Sequence, residues 1–487
     1  MEWQGLGSAV SRRRWPAWLT FGLLALAAAL LLPAGAGAAP SFKTGLEGVR
    51  VANLPDTWGL NKAVSGNAGI VRINAPWSVL EPRKPADPRD PNDPAYNWNA
   101  IDPLVRGATA RGMQVLLTVY SAPSWAEGKG KSKAVFAGSW KPNANAFEDF
   151  GHALAEQYSG DNGGPRVRYF EPWNEPNLGT YLEPVWKKKH HKVKPVSPGL
   201  FVNLANHFSA GVKSVHKSNK LVGPSSSPYG DPKKGPYPYS SPRMHPLYFL
   251  REVLCLNRKH GKLKKKKHCK SAKLDIVSQH PIDRAKGHGP TYHAKNPDDV
   301  GPGDMGRVRR TMSAAERLHT VPRHPKHRPM WVTEFWRGSK PPDPTGVSLA
   351  KQAKWIEQGL YTFWKDGASV AIYQGLVDNG GKPPDVQVGL FFLPRLPALP
   401  LAKPSWTAFR FPFVANRKSA KKVKVWGKAP ATGTVRIEKQ VGHHYVTAKS
   451  LSAKRNAIFQ ASIPAKGKVT LRAQVGSTLT SLPWTQK

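Results

Sequence analysis

The stretch Met113-Gln114-Val115-Leu116-Leu117-Thr118-Val119-Tyr120 is a run of apolar and β-branched residues with little polar alternation. Such a run predicts a β-strand buried on both faces, as in a parallel sheet covered by helices. Comparable runs recur along the chain. They are Val49–Asn53, Ile70–Asn74, Val167–Phe170, Lys220–Gly223, Leu274–Gln279, Met330–Thr333 and Ser369–Tyr373. Together these segments predict eight buried strands.

Segments with helical spacing of apolar residues lie between the predicted strands. They include Ile101–Arg111, Asn145–Tyr158, Gly199–Ser218, Gly306–Leu318 and Ser348–Trp364. Strands and helices that alternate in this way predict an α/β fold, namely a closed (β/α)8 TIM barrel. A doubly wound open sheet is the alternative, but no glycine-rich phosphate-binding turn follows the first strand to support it. No cofactor is therefore predicted.

Composition divides the chain into three predicted parts. Residues 1–39 form a signal peptide, residues 40–412 the barrel, and residues 413–487 a small all-β sandwich domain. The last part contains short alternating strands separated by turn signals. Its predicted strands are Val423–Trp426, Thr434–Ile437, Ala457–Ile463 and Val469–Val475. A carbohydrate-binding accessory role is one interpretation, and we favour the other, in which this domain packs on the barrel and stabilises it.

The N-terminus has the three-part layout of a secretory signal peptide. Arg12–Arg14 precede the apolar run Trp15–Leu32, and small residues follow as far as Ala39. Cleavage near Ala39 predicts a secreted protein that is no longer attached to a membrane. An uncleaved membrane anchor is the alternative, because the apolar run is at the short end of what can span a bilayer.

The formal net charge is +42, and removal of residues 1–39, which contain three arginines and one glutamate, leaves +40. This charge favours anionic partners such as acidic or wall-associated carbohydrates, although it also serves solubility. The densest basic runs are Lys187–His191 and Lys264–Lys267. Because these runs lack the interleaved aromatic residues of a nucleic-acid platform, a specific nucleic-acid partner is disfavoured.

The chain contains two cysteines, Cys255 and Cys269. In an oxidising compartment they predict one disulfide that closes the basic loop Arg258–Lys267. His260 and His268 lie nearby, which leaves a zinc site as the weaker alternative. Two isolated cysteines do not have metal-ligand spacing, so no metal is predicted.

Two glutamates lie at the ends of predicted strands. Glu175 follows the fourth strand, and Glu334 ends the strongly apolar seventh strand. Hydrolysis of a glycosidic bond needs one carboxyl that protonates the leaving oxygen and a second that attacks or activates water. Barrel enzymes build their sites at the carboxyl ends of the strands. The two residues are therefore candidates for such a pair, although Glu175 is equally suited to a helix N-terminus and Glu334 to an ion pair with arginine.

The motifs Trp173-Asn174-Glu175-Pro176 and Thr333-Glu334-Phe335-Trp336 resemble the signature pair of the barrel clan of retaining glycoside hydrolases, clan A, with families 5 and 39 nearest. This resemblance implies that Glu175 is the acid/base and Glu334 the nucleophile. It also implies that Asn174 binds the sugar 2-hydroxyl. The function implied is a secreted retaining glycosidase, and the alternative is a noncatalytic protein that binds glycans or the cell wall.

The same resemblance assigns roles to further residues. Arg72 on the second strand would support the nucleophile and keep it ionised, and His280 after the sixth strand would be its neighbour. Trp125 and Trp336 are candidate platforms for sugar rings. Tyr373 stands on the eighth strand, where the clan has a tryptophan beneath the cleaved sugar, so the chain departs from the clan pattern at this candidate substrate contact.

Overall fold

Parallel strands form a closed barrel in which the first strand pairs with both the second and the eighth. The structure is a computed structural model that describes residues 41–131, 135–190, 192–231, 242–283, 285, 287–324, 328–381, 387–394 and 397–486. The predicted signal peptide lies outside these residues. The barrel strands are Lys43–Glu47, Ile70–Pro76, Gln114–Tyr120, Tyr169–Pro172, Lys220–Ser226, Ile276–Gln279, Met330–Phe335 and Val370–Gln374. The predicted TIM barrel is confirmed.

A helix follows each barrel strand along the chain. These helices are Asp56–Ser65, Asp102–Thr109, Ala144–Gln157, Ser197–Val215, Pro246–Val253, Met305–Arg317, Leu349–Lys365 and Pro404–Arg410. Asn143 caps the third of them by accepting hydrogen bonds from two backbone N–H groups, and Ser348 caps the seventh by accepting one from Lys351. No helix in the described part of the chain has both the length and the hydropathy needed to cross a bilayer.

The first barrel strand is Lys43–Glu47, so the prediction of Val49–Asn53 was wrong. The true strand is short and carries polar residues, whereas Val49 and Val51 are buried in the loop that follows it. Gly45 explains why this sequence forms a strand. A Cβ atom at Gly45 would lie 2.7 Å from the Ile70 side chain, so the close approach of the first two strands requires glycine.

The barrel interior is apolar where the strands begin and polar where they end. Successive residues on one face of a strand are two apart, and five of the strands contribute one apolar and then one polar side chain to the interior. The pairs are Ile70 and Arg72, Leu116 and Thr118, Tyr169 and Glu171, Ile276 and Ser278, and Trp331 and Thr333. A packed apolar layer therefore supports a buried polar layer at the carboxyl ends of the strands.

Two antiparallel sheets form the C-terminal β domain. One contains Phe413–Ser419, Lys422–Lys428 and Ile458–Pro464, and the other contains Gly433–Val441, His444–Ala453, Val469–Val475, Leu479–Thr480 and Trp484–Gln486. The strands alternate between buried and exposed residues, as in Val469–Val475. The predicted all-β sandwich is confirmed.

The β domain packs against the end of the barrel where the strands begin. Trp426 lies against Phe42 and the helical residues Tyr361 and Trp364, with ring centroids 5.5–6.4 Å apart. The buried ammonium of Lys428 donates to the hydroxyl of Thr44 at 3.1 Å. Burial lowers the pKa of Lys428 to about 7. The domain thus stabilises the end of the barrel opposite the polar layer.

Candidate active site

The chain leaves the fourth strand through a strained backbone. Trp173 and Glu175 have φ angles of 83° and 39°, in the left-handed region that side-chain-bearing residues seldom adopt. Tertiary hydrogen bonds hold this conformation. The backbone N–H of Trp173 donates to Val119 at 2.7 Å, its indole donates to the carbonyl of Tyr181 at 2.7 Å, and the N–H of Glu175 donates to Ser225 at 3.2 Å. The surroundings therefore fix the position of Glu175.

Glu175 and Glu334 lie together at the carboxyl ends of the fourth and seventh strands, with His280 between them. One oxygen of each carboxyl and one ring nitrogen of His280 all lie within 4.8 Å of one another. The Nδ1 atom of His280 is 3.0 Å from Glu175 and 3.7 Å from Glu334. The indole of Trp336 donates to Glu334 at 3.3 Å. The structure thus brings together four residues that the sequence placed at the ends of the fourth, sixth and seventh strands.

Arg72 connects the buried polar layer to this pair. Its Nη1 atom donates to Glu47 at 2.6 Å and to Glu334 at 3.3 Å. Its Nε atom donates to Glu171 at 2.7 Å, and its Nη2 atom donates to the side-chain oxygen of Asn174 at 2.7 Å. The guanidinium is buried, and the surrounding carboxylates raise the pKa of Arg72 against the effect of burial. One fixed cation therefore serves four acceptors.

Arg72 lowers the pKa of Glu334, which is the direction of its predicted supporting role, but burial acts against it. Burial raises the pKa of Glu334 to about 7, and the nearby carboxylates of Glu47 and Glu175 act in the same direction. His280 and Arg72 lower this pKa but do not outweigh burial. The physical reason is that Arg72 shares its charge with Glu47 and Glu171, both of which lie closer to it than Glu334 does.

The other two ionisable groups have pKa values that favour their charged forms. Burial opposes the protonation of His280, but Glu334 and Glu175 outweigh it and raise the pKa of the imidazole. Burial likewise opposes ionisation of Glu171, but Arg72 and His280 lower the pKa of this carboxyl. The surroundings therefore favour the protonated form of His280 between the two carboxyls and the ionised form of the buried Glu171 beneath them.

Sequence reasoning missed the residues that support the site from below. Glu47 and Glu171 bind Arg72, and Thr118 donates to Glu171 at 2.5 Å. Ser225 also donates to Glu171 and contacts Ser278 at 2.5 Å. For Thr118, Glu171 and Ser278 the available signal was a polar residue two positions after an apolar one on a barrel strand, which the prediction did not use.

A cavity of about 510 Å³ opens beside the two glutamates. It is lined by Glu175, Ser227, Pro228, Tyr229, Arg243, Ile282, Asp283, Ala285, His288, Tyr292, Glu334 and Trp336. Trp336 therefore faces the space where a ligand would bind. Tyr229 and His288 both bind the carboxylate of Asp283, at 2.8 and 2.6 Å. The buried Asp283 therefore holds these two cavity-lining side chains in place.

Two predicted substrate contacts lie elsewhere in the described part of the chain. Tyr373 is fully buried and donates its hydroxyl to the carbonyl of Val388 at 2.6 Å, so it is a core residue and the prediction of a substrate contact was wrong. Trp125 packs edge-on against Trp77 and donates to the carbonyl of Glu81 at 3.3 Å. These contacts hold the Trp125 ring against Trp77 and Glu81, and Trp125 is not among the residues that line the cavity described above.

The spacing of Glu175, His280 and Glu334 would also allow one divalent ion to contact all three. The charge of the surroundings disfavours this use. Arg72 lies 3.3 Å from Glu334 and is permanently positive, so a metal ion at the same carboxylate would be repelled. The geometry suits carboxyl chemistry better than metal binding.

Comparisons with known proteins support the fold. No protein-family model and no curated protein matches the chain. A family 39 glycoside hydrolase from the gut symbiont Bacteroides cellulosilyticus WH2 superposes with a TM-score of 0.53 at 16% identity, covering 88% of this chain and 81% of that chain. A glucosidase from Croceicoccus marinus superposes with a TM-score of 0.50 at 13% identity, covering 88% and 94%. The predicted resemblance to family 39 is thus confirmed in the fold.

Proposed function

We propose that this protein is a secreted glycoside hydrolase that cleaves O-glycosidic bonds of a polysaccharide or oligosaccharide with retention of configuration. The observation that carries this proposal is the approach of Glu175 and Glu334 at the carboxyl ends of the barrel strands, with oxygens within 4.8 Å. Retaining enzymes hold their carboxyls about 5–5.5 Å apart, whereas inverting enzymes need about 6.5–9.5 Å to admit a water. The shared fold with a family 39 glycoside hydrolase supports the same activity.

In the proposed reaction Glu334 attacks the anomeric carbon while Glu175 protonates the leaving oxygen. The glycosidic C–O bond breaks and an ester forms between the sugar and Glu334. Glu175, now ionised, takes a proton from water, and the resulting hydroxide displaces Glu334 from the sugar. Asn174, which Arg72 holds in place, is the candidate ligand for the sugar 2-hydroxyl.

Two carboxyls this close do not both ionise readily, so one proton stays on the pair. Arg72 contacts Glu334 and does not contact Glu175, which favours the negative charge on Glu334. His280 bonds the Oε1 atom of Glu175, so the proton that the double displacement requires on this carboxyl would be donated from Oε2. This allocation is the one that the double displacement requires.

Three variants test the catalytic roles. A panel of aryl glycosides identifies a substrate, and the configuration of the first product is followed by NMR. Glu334→Gln should lower kcat by about 10³-fold or more for every substrate. Glu175→Gln should lower kcat less for substrates with good leaving groups than for those with poor ones, because good leaving groups need little protonation. Glu357→Gln changes a buried glutamate in a helix and is the matched control. Small, equal losses in both site variants, or an inverted first product, would exclude the mechanism.

Secretion is proposed from the pattern of the N-terminal residues alone. Arg12–Arg14, the following apolar run and the small residues up to Ala39 favour cleavage near Ala39. N-terminal sequencing of the protein recovered from the medium should give Pro40 or Ser41 as the first residue. An intact Met1 on membrane-bound protein would establish the anchor instead.

A further inference from the structure

A second cavity, of about 440 Å³, shares a wall residue with the catalytic cavity. Arg243 lines both cavities. Its Nε atom binds Asp231 at 2.9 Å, and its two terminal nitrogens bond to no described residue. The Arg243 side chain is 49% exposed. A ligand that leaves the catalytic cavity on this side would therefore meet the half-exposed guanidinium of Arg243.

Two lysine-rich hairpins flank the second cavity. The first hairpin is Trp186–Lys189 with Lys192–Pro195, and the second is Leu256–Lys259 with Lys262–Lys265. Trp186 from the first hairpin and Arg258 from the second line the same cavity, so the hairpins lie side by side. Cys255 and Cys269 form a disulfide that closes the second hairpin at its base.

The lysines of the two hairpins have no acid beside them along the chain, although Arg258 lies 3.9 Å from Asp298. Residues 186–196 and 255–271 contain no aspartate or glutamate. Inside the cavity the charges are paired, since Arg251 binds Asp298 at 2.6 Å and Lys266 binds Glu252 at 2.6 Å. The exposed lysines of the hairpins form no ion pair with a described residue. They are Lys187, Lys188, Lys192, Lys194, Lys259, Lys262, Lys264 and Lys265.

We propose that the substrate is an acidic polysaccharide, held by one continuous basic surface that runs from the catalytic cavity past Arg243 to the two hairpins. This inference rests on the proposed glycosidase function, which requires the catalytic cavity to bind a sugar. Planar guanidinium groups bind carboxylate or sulfate with two parallel hydrogen bonds, and exposed lysines attract a charged chain at longer range. Arg243 would thus select a charged sugar close to the bond that is cut, and the hairpins would hold the rest of the chain.

A polysaccharide is favoured over a nucleic acid because the basic surface leads directly to the two glutamates. The exposed charged side chains described on the hairpins are lysine, arginine and histidine, without a row of exposed aromatic rings on which unpaired bases stack. Trp186 and Tyr248 stack on each other instead, with ring centroids 6.0 Å apart.

Binding without turnover tests the surface separately from the catalytic proposal. Every protein carries Glu334→Gln, and the probes are fluorescent polygalacturonate, heparin, a galacturonate tetramer, neutral dextran and duplex DNA. One variant replaces Lys187, Lys188, Lys192 and Lys194 by glutamine. A second replaces Lys259, Lys262, Lys264 and Lys265. The matched control replaces four exposed lysines of the β domain, Lys418, Lys421, Lys422 and Lys424, so that all three lose the same charge.

Each hairpin variant should bind polygalacturonate or heparin about tenfold more weakly than the parent, with a smaller salt dependence, while the control changes little. Arg243→Gln should weaken binding of both the tetramer and the polymer, whereas the hairpin variants should weaken binding of the polymer alone. Equal losses in the control, binding of neither acidic polymer, equal binding of dextran, or tighter binding of DNA would each overturn the proposal. If the Glu334→Gln proteins bind the acidic polymers as expected but the unmodified protein hydrolyses neither polymer nor any aryl glycoside, the proposed function would be refuted while the binding surface stands.

Discussion

Replacing Glu47 by glutamine removes a negative charge from beneath Glu334 while keeping the shape of the side chain. Both carboxyls contact the same Nη1 atom of Arg72, at 2.6 Å for Glu47 and 3.3 Å for Glu334. The change should therefore lower the pKa of Glu334 in two ways. A like charge disappears, and Arg72 is left with fewer competing carboxylates.

The size of the effect follows from the geometry around Nη1. The two contacts place the nearest oxygens of Glu47 and Glu334 no more than about 6 Å apart, and unit charges at that distance repel by about 3 kcal/mol at an effective dielectric constant of about 20. Since about 1.4 kcal/mol corresponds to one pKa unit, the decrease is about two units, or about half a unit if water screens the pair fully. From a starting pKa of about 7, the pKa of Glu334 in Glu47→Gln should fall by an amount in this range.

Two measurements follow this shift. The acid limb of kcat/KM reports the ionisation of the nucleophile in the free enzyme, so it should move to lower pH in Glu47→Gln. Carbon NMR of labelled glutamate carboxyls reports the same pKa without turnover. Glu357→Gln removes another buried carboxyl that does not contact Arg72, and it should leave both profiles in place. An acid limb that stays fixed, or moves to higher pH, in Glu47→Gln would refute the assignment of this ionisation to Glu334.

Three further predictions concern the core and the β domain. Trp426→Ala should lower the free energy of unfolding by about 3–5 kcal/mol, measured by urea denaturation, because it empties the apolar contact between the β domain and the barrel. Lys428→Met should reduce the rise in unfolding free energy between about pH 7 and pH 10, since the unfolded state binds more protons than the folded state in that window; an unchanged slope would contradict the low pKa. Tyr373→Phe should cost about 1 kcal/mol of stability through the lost bond to Val388, and kcat and KM should not change, whereas a raised KM would restore Tyr373 to the substrate site.

The barrel could be predicted because most of its strands are buried on both faces. Runs such as Gln114–Tyr120 and Met330–Phe335 are mostly apolar, and nearly all of their residues are buried. The first strand could not be found in this way, because Lys43–Glu47 is short and polar and depends on Gly45 for its contact with the second strand. Local composition favoured the more apolar Val49–Asn53, which tertiary packing places in a loop.

Only the site residues that belong to a local sequence motif could be predicted. Glu175 and Glu334 stand in distinctive local sequences, and the structure places them side by side. Glu47 and Glu171 stand in unremarkable surroundings, and their importance arises only when the barrel closes and brings both to Arg72. The raised pKa of Glu334 is likewise a property of burial, which the sequence around it does not specify.

The single guanidinium shared by Glu47, Glu171, Asn174 and Glu334 has a consequence for how this site can change over time. Removing any one acceptor alters the bonds that Arg72 offers to the other three, so the effects of two substitutions will not add. Epistasis of this kind makes single replacements costly even when a double replacement is tolerated. Among descendants of this chain, we expect the residues around Arg72 to be retained together or replaced together.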